Sequence, residues 1–91
     1  MTGRDQIKLY LSGEGEQLLA RRMISLEAVE EVIRHAEATG KKFIDPSTGR
    51  SLAFLRPGRV TYWVEYSVAG DGFQVHSAYS HRMEMKRGAG S

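Results

Sequence analysis

The segment from residue 58 to residue 85 constrains the fold of this chain more than any other part of the sequence. Two runs rich in valine and aromatic residues lie on either side of Ala69-Gly70-Asp71-Gly72. β-Branched and aromatic residues in alternating positions are typical of strands, and short loops built from glycine and aspartate are typical of tight turns. The segment therefore predicts a long β-hairpin.

Alternation along this hairpin predicts which side chains face the core, because successive residues of a strand point to opposite faces. The core face would carry Val60, Tyr62, Val64, Tyr66, Val68, Phe73, Val75, Ser77 and Tyr79. The opposite face would carry Arg59, Thr61, Trp63, Glu65, Ser67, Gln74, His76, Ala78, Ser80, Arg82 and Glu84. A turn centred on positions 70–71 would pair Glu65 with His76, and Trp63 with Ala78. A turn centred one position later shifts the pairing by two residues and leaves every face assignment unchanged.

Two helices are predicted before the hairpin. The first spans residues 14–23, with Ser12 as a candidate N-cap. The second spans residues 26–39, with Ser25 as its N-cap and Gly40 as its left-handed stop. Its apolar positions recur at helical spacing, at Leu26, Val29, Val32, Ile33 and Ala36.

Shorter strands complete the predicted fold. The alternating run 7–11 predicts an edge strand, and residues 51–56 predict a strand that leads through a Pro-Gly turn into the hairpin. We expect an α+β fold: a strand, two helices, then a three-stranded antiparallel meander with the helices packed on one sheet face. Residues 1–87 would form a single domain, and residues 88–91 a disordered tail.

Composition limits the functions open to the chain. Ninety-one residues bury one modest core, so a deep substrate cavity is not expected. The sequence has no cysteine, which excludes disulfides and thiolate metal sites and favours a cytoplasmic location. No apolar run is long enough for a membrane span, and the first residues show no secretory signal. The net charge is only +2, with acidic residues concentrated in the predicted helices and basic residues in the C-terminal half.

The predicted open face of the hairpin is where a binding site is expected. It would present Trp63, Glu65, His76 and Arg82, with Arg59 at its end, and Leu52 and Phe54 could join from the neighbouring strand. An indole between guanidinium groups can stack on a nucleobase or pack into a groove of a protein partner. Burial against a protein partner or a second copy is favoured, because exposed apolar patches mostly mark protein contacts.

The histidines admit two interpretations. His76 next to Glu65 could be a base oriented by a carboxylate, which would raise the histidine pKa, or one half of an ordinary cross-strand charge pair. His81 falls on the predicted core side, near the end of its strand. His35 lies on the flank of the second helix. Three histidines on separate elements make a poor metal site, and no cofactor motif is present, so we expect neither metal nor cofactor.

The C-terminal string His81-Arg82-Met83-Glu84-Met85, placed after a strand, two helices and a meander, resembles the RelE/ParE-type toxin family of toxin–antitoxin systems. The resemblance implies that Arg59 and Arg82 contact phosphate or stabilise charge. It also implies that the helices or a sheet edge receive an antitoxin. Ribosome-dependent mRNA cleavage would be the activity of the RelE branch.

Three functions therefore remain open at the level of sequence. The first is a small interaction module that binds a protein partner or itself. It is favoured by the low net charge and by Lys86, which stands where the C-terminal string of RelE/ParE-type toxins often ends in tyrosine. The second is a metal-independent ribonuclease that uses Arg82, Arg59 and either His76 or His81 around a scissile phosphate. The third is an accessory subunit of a larger enzyme.

Overall fold

The computed structural model describes residues 7–82, with Arg82 described by its backbone alone. Its helices are α1 (Gly13–Arg21) and α2 (Leu26–Thr39). Its strands are β1 (Leu9–Tyr10), β2 (Phe43–Ile44), β3 (Ser51–Leu55), β4 (Val60–Ala69) and β5 (Gly72–Arg82). The α+β class is confirmed. The rest of the predicted C-terminal string, from Met83 onward, and the predicted tail lie outside the described residues.

The sheet is larger than the predicted meander. Five strands lie in the order β1-β5-β4-β3-β2. The antiparallel succession β3-β4-β5 is its centre, β2 adds an antiparallel edge, and β1 pairs with β5 in parallel at the other edge. β2 pairs with the next strand, β3, across the turn at residues 45–50, and this pairing makes a strand of its two residues.

Both helices begin at the serines predicted to cap them. Ser12 Oγ accepts a hydrogen bond from the Gly15 backbone N–H at 3.0 Å, and Ser25 Oγ accepts one from the Ala28 N–H at 3.1 Å. The bounds of α2 match the prediction, and Gly40 ends it with φ at 77°. α1 begins one residue earlier than predicted and ends two residues sooner.

One apolar core joins the helices to the sheet. α2 contacts β3 and β4, and α1 contacts β5. The core comprises Leu19, Ile24, Val29, Val32, Ile33, Ala36, Ala53, Val64, Tyr66, Val75 and Ala78. Tyr66 is the largest of these buried residues, and its hydroxyl donates a hydrogen bond of 2.7 Å to Glu37 Oε2. Because that polar group has a partner, the ring can be buried without an unsatisfied donor.

A β-bulge at His76 changes the predicted faces of β5. From the turn as far as the Tyr66–Val75 pair, the strands follow the register predicted for a turn centred on positions 70–71. The next pair is Glu65 with Ser77, so His76 is an extra residue without a partner position on β4. The predicted Glu65–His76 and Trp63–Ala78 pairs are therefore wrong. Each residue of β5 beyond the bulge takes the opposite face from the one that strict alternation assigns.

The bulge corrects the assignments of Ala78, Ser77 and Tyr79, and that of Val68 is corrected for a separate reason. Ala78 is fully buried opposite Val64 in the core, although it was predicted on the open face. Ser77 and Tyr79, predicted in the core, pair with open-face residues of β4. Val68, also predicted in the core, is 74% exposed because it lies at the hairpin tip, beyond Tyr66, the last core residue of β4.

The parallel strand β1 is fixed to the hairpin tip by three contacts. Lys8 O accepts a hydrogen bond from the Phe73 N–H at 2.8 Å, and Asp71 accepts one from Lys8 Nζ at 2.9 Å and one from the Tyr10 hydroxyl at 2.5 Å. A Cβ on Gly72 would lie 2.4 Å from Lys8 O, so only glycine allows this approach.

Candidate functional site: the open face of the sheet

Three aromatic side chains form a row across adjacent strands on the face opposite Val64 and Ala78. Register places Phe54 of β3 opposite Trp63 of β4, and Trp63 opposite Tyr79 of β5. The ring centroids of Phe54 and Trp63 are 4.8 Å apart, and those of Trp63 and Tyr79 are 6.2 Å apart with nearly parallel planes. Phe54 and Tyr79 remain 42% and 41% exposed. This set is called the aromatic row below.

A groove lies beside the aromatic row, towards β2. It has a volume of about 350 Å³ and is lined mainly by apolar groups, among them Phe43, Leu52 and Tyr79. Arg50 and Glu65 also line it, and Arg50 Nη1 is 3.6 Å from Glu65 Oε2, too far for a good hydrogen bond. The groove therefore offers an apolar surface beside one loosely paired cation and anion.

His76 is held by a hydroxyl and not by a carboxylate. Its Nε2 lies 2.8 Å from Ser67 Oγ. Burial lowers the pKa of His76 below its usual 6.5, the nearby Arg50 charge lowers it further, and Glu65 opposes them more weakly. The sequence hypothesis of a base oriented by Glu65 implies a raised pKa, and the structure gives the opposite direction. The imidazole is therefore neutral at pH 7.

The other predicted residues lie at the end of the sheet near the β3–β4 turn. Arg59 is exposed and directly precedes β4. His81 is exposed and pairs with Thr61, so the bulge moves it from its predicted core side to the open-face side. The backbone of Arg82 pairs with Val60, which has the parity of the buried Val64, so the predicted open-face position of Arg82 is wrong. The predicted set therefore divides into a central group, Trp63, Glu65 and His76, and an end group, Arg59, His81 and Arg82.

Sequence reasoning missed several residues of this face. Tyr79 was assigned to the core, and a signal against that assignment exists: Val75 and Ala78 are apolar at a spacing of three, which strict alternation cannot place on one face. Phe43 is 62% exposed, and the two-residue strand that brings it to the groove has no signature of its own. Arg50 precedes β3 and had no predicted partner.

Within residues 7–82, no cluster of three or more histidine, aspartate or glutamate side chains is arranged to hold a metal ion. No helix in that range has the length and hydrophobicity needed to cross a bilayer. No family model, curated protein or solved structure matches the chain. The open face itself is therefore the basis for a functional assignment.

Proposed function

We propose that the chain is a small macromolecular-interaction module with a toxin-like fold of the RelE/ParE type. It binds a protein partner or a second copy of itself through the open sheet face around Trp63 and His76; Arg82, the third residue of the predicted site, pairs with Val60 beyond the bulge and is not an open-face position. The cytoplasm is its proposed place of action, in keeping with a sequence that has no cysteine.

The observation that carries this proposal is the aromatic row. Tyrosine and tryptophan at the centre of a patch are the residues that most often dominate protein–protein binding. Here an indole is flanked by two rings that are each about two-fifths exposed, on a rigid three-strand platform. A groove with an apolar lining adjoins them and can receive a partner's side chain. Contact with a protein would remove this apolar surface from water.

A photo-reactive phenylalanine analogue at position 54 tests the proposal in cells. We expect covalent adducts with a protein, lost when Tyr79→Ser is added, because the neighbouring ring supports the same contact. The control carries the analogue at Glu31, an exposed position of α2. Equal adduct yields from positions 54 and 31 would refute a binding role for the open face.

A ribonuclease is the second candidate, supported by the end group. Arg59 and His81 are both exposed, and the pairing of Thr61 with His81 brings the end of β5 beside the start of β4. A cation and an imidazole at one sheet end could stabilise and protonate a scissile phosphate. Cleavage of RNA lost in Arg59→Ala, His81→Ala and Arg82→Ala, yet kept in Phe54→Ser, would favour this function. RNA binding that is absent even at low salt would exclude it.

A further inference from the structure

We infer that the partner of the open face is a second copy of this chain, bound face to face about a twofold axis. This inference rests on the proposed function and names the partner for it. A twofold interface uses the same patch on both subunits, so the patch must be complementary to itself in charge and in shape.

Charge complementarity comes from Arg50 and Glu65. They are one cation and one anion at the edge of the groove, and their side chains are 42% and 33% exposed. Their 3.6 Å separation is loose, so each can turn to the opposite charge on an apposed copy. His76, neutral at pH 7, adds no charge between them. Two open faces can therefore meet without like-charge repulsion.

The helical layer has no such self-complementarity. Its acidic residues are Glu14, Glu16, Glu27, Glu30, Glu31 and Glu37, and its basic residues within the helices are Arg21 and Arg34. The flanking Arg22, Lys41 and Lys42 offset this excess only in part, so two copies of that surface are less well matched in charge than two open faces. A single-stranded nucleic acid on the open face would need a track of cations beside the rings, whereas Glu65, two positions from Trp63 on β4, places an anion there. The central charges favour a second copy over nucleic acid.

The shape of the open face also suits a second sheet. Face-to-face sheets pack about 10 Å apart, with side chains from the two inner faces interdigitating. Phe54 and Tyr79 of the aromatic row are 42% and 41% exposed, and Phe43 and Tyr79 both line the adjacent groove of about 350 Å³. An apposed copy can place a ring of its row in this groove, and the twofold axis repeats that contact.

Sedimentation equilibrium of the purified chain over a wide concentration range tests the inference. We expect a monomer–dimer equilibrium whose dissociation constant rises about tenfold or more in Phe54→Ser and in Tyr79→Ser. Leu26→Ser is the matched control, because Leu26 is a large exposed apolar residue at the start of α2. Circular dichroism of each variant reports whether the fold is kept.

A charge exchange separates self-association from binding of an unrelated protein. Arg50→Glu or Glu65→Arg alone puts like charges on both faces and should weaken the dimer, more at low salt than at high salt. The double variant Arg50→Glu/Glu65→Arg is again self-complementary and should recover most of the affinity. An unrelated partner would not follow the exchange, so its binding would stay impaired.

Two results would overturn the inference. One is a chain that stays monomeric at every concentration; the other is a dimer that Leu26→Ser weakens and Phe54→Ser leaves unchanged. If the chain is monomeric while position 54 still forms adducts with a different protein, the second copy is wrong and the proposed function stands. If, in addition, position 54 gives no more adduct than position 31, both the inferred dimer and the proposed function are wrong.

Discussion

The two faces of this sheet are built on the same strands, but one is buried beneath the helices and the other is exposed to solvent. On β5, Ala78 is fully buried while its neighbour Tyr79 is 41% exposed. On β4, Val64 is fully buried while Trp63 keeps part of its surface in water. The covered face packs aliphatic groups with the rings of Tyr62, Tyr66 and Phe73, whereas two of the three rings on the open face, Phe54 and Tyr79, are about two-fifths exposed. The first face forms the core, and the second leaves aromatic surface in contact with water.

Truncation of one side chain in the core and one on the open face should show the largest difference in the free energy of unfolding. Ile33→Ala removes a fully buried side chain of α2 and should lower the free energy of unfolding by about 2–5 kcal/mol. Phe54→Ala removes a ring that is 42% exposed and should cost less than about 1 kcal/mol. Urea denaturation of both variants measures the difference. Similar losses would mean that the open face stabilises the monomer as much as the core does.

Single-residue deletions in β5 should separate the bulge from the regular ladder. Deleting His76 closes the bulge and leaves every other pair on its face, so we expect a loss below about 1 kcal/mol. Deleting Gln74 gives a chain of the same length as the His76 deletion, but it moves Val75 to the open face and His76 towards the core. That variant should lose about 2–4 kcal/mol by urea denaturation. Equal losses would contradict the described register.

Acidification should give the smallest change in stability, and this change should arise from His76 on the open face. The pKa of His76 is lowered in the folded chain, so below the unfolded value of 6.5 the unfolded state binds the proton more readily. Stability is then fully present above pH 6.5 and falls as pH drops from there towards the folded pKa. We expect His76→Gln to remove this part of the decline when unfolding is followed between pH 7.5 and 5.5. An unchanged pH dependence in that variant would contradict the lowered pKa.

The sequence correctly predicted those elements whose geometry is determined by residues close together in the chain. The bounds of α2 follow from Ser25, Gly40 and the apolar stripe between them, and the hairpin turn follows from Gly70 and Asp71. The faces of β4 as far as Tyr66 follow from alternation. In each case a few neighbouring residues determine the geometry, so the sequence shows it directly.

Strand pairing and one irregularity explain most of what the sequence did not show. Phe43 and Ile44 form a strand by pairing with β3 across the turn at residues 45–50, and β1 pairs with a strand more than sixty residues away. The bulge inserts one residue and changes the face of all that follow, so one undetected step misplaced Ala78, Tyr79 and His81. The candidate site was predicted around Trp63, but the positions of two of its neighbours depend on features that were not predicted, namely the β2–β3 pairing for Phe43 and the bulge for Tyr79.

The parallel pairing of β1 with β5 has a consequence for the order of synthesis. Among the described elements β1 leaves the ribosome first, and the strand that receives it leaves last. Until β5 is complete, the helices lack part of the surface that they cover, and Lys8 and Tyr10 have no Asp71 to bind. Contacts so far apart in sequence close late and slow folding. This domain should therefore acquire its native structure only after nearly all of the chain has been translated.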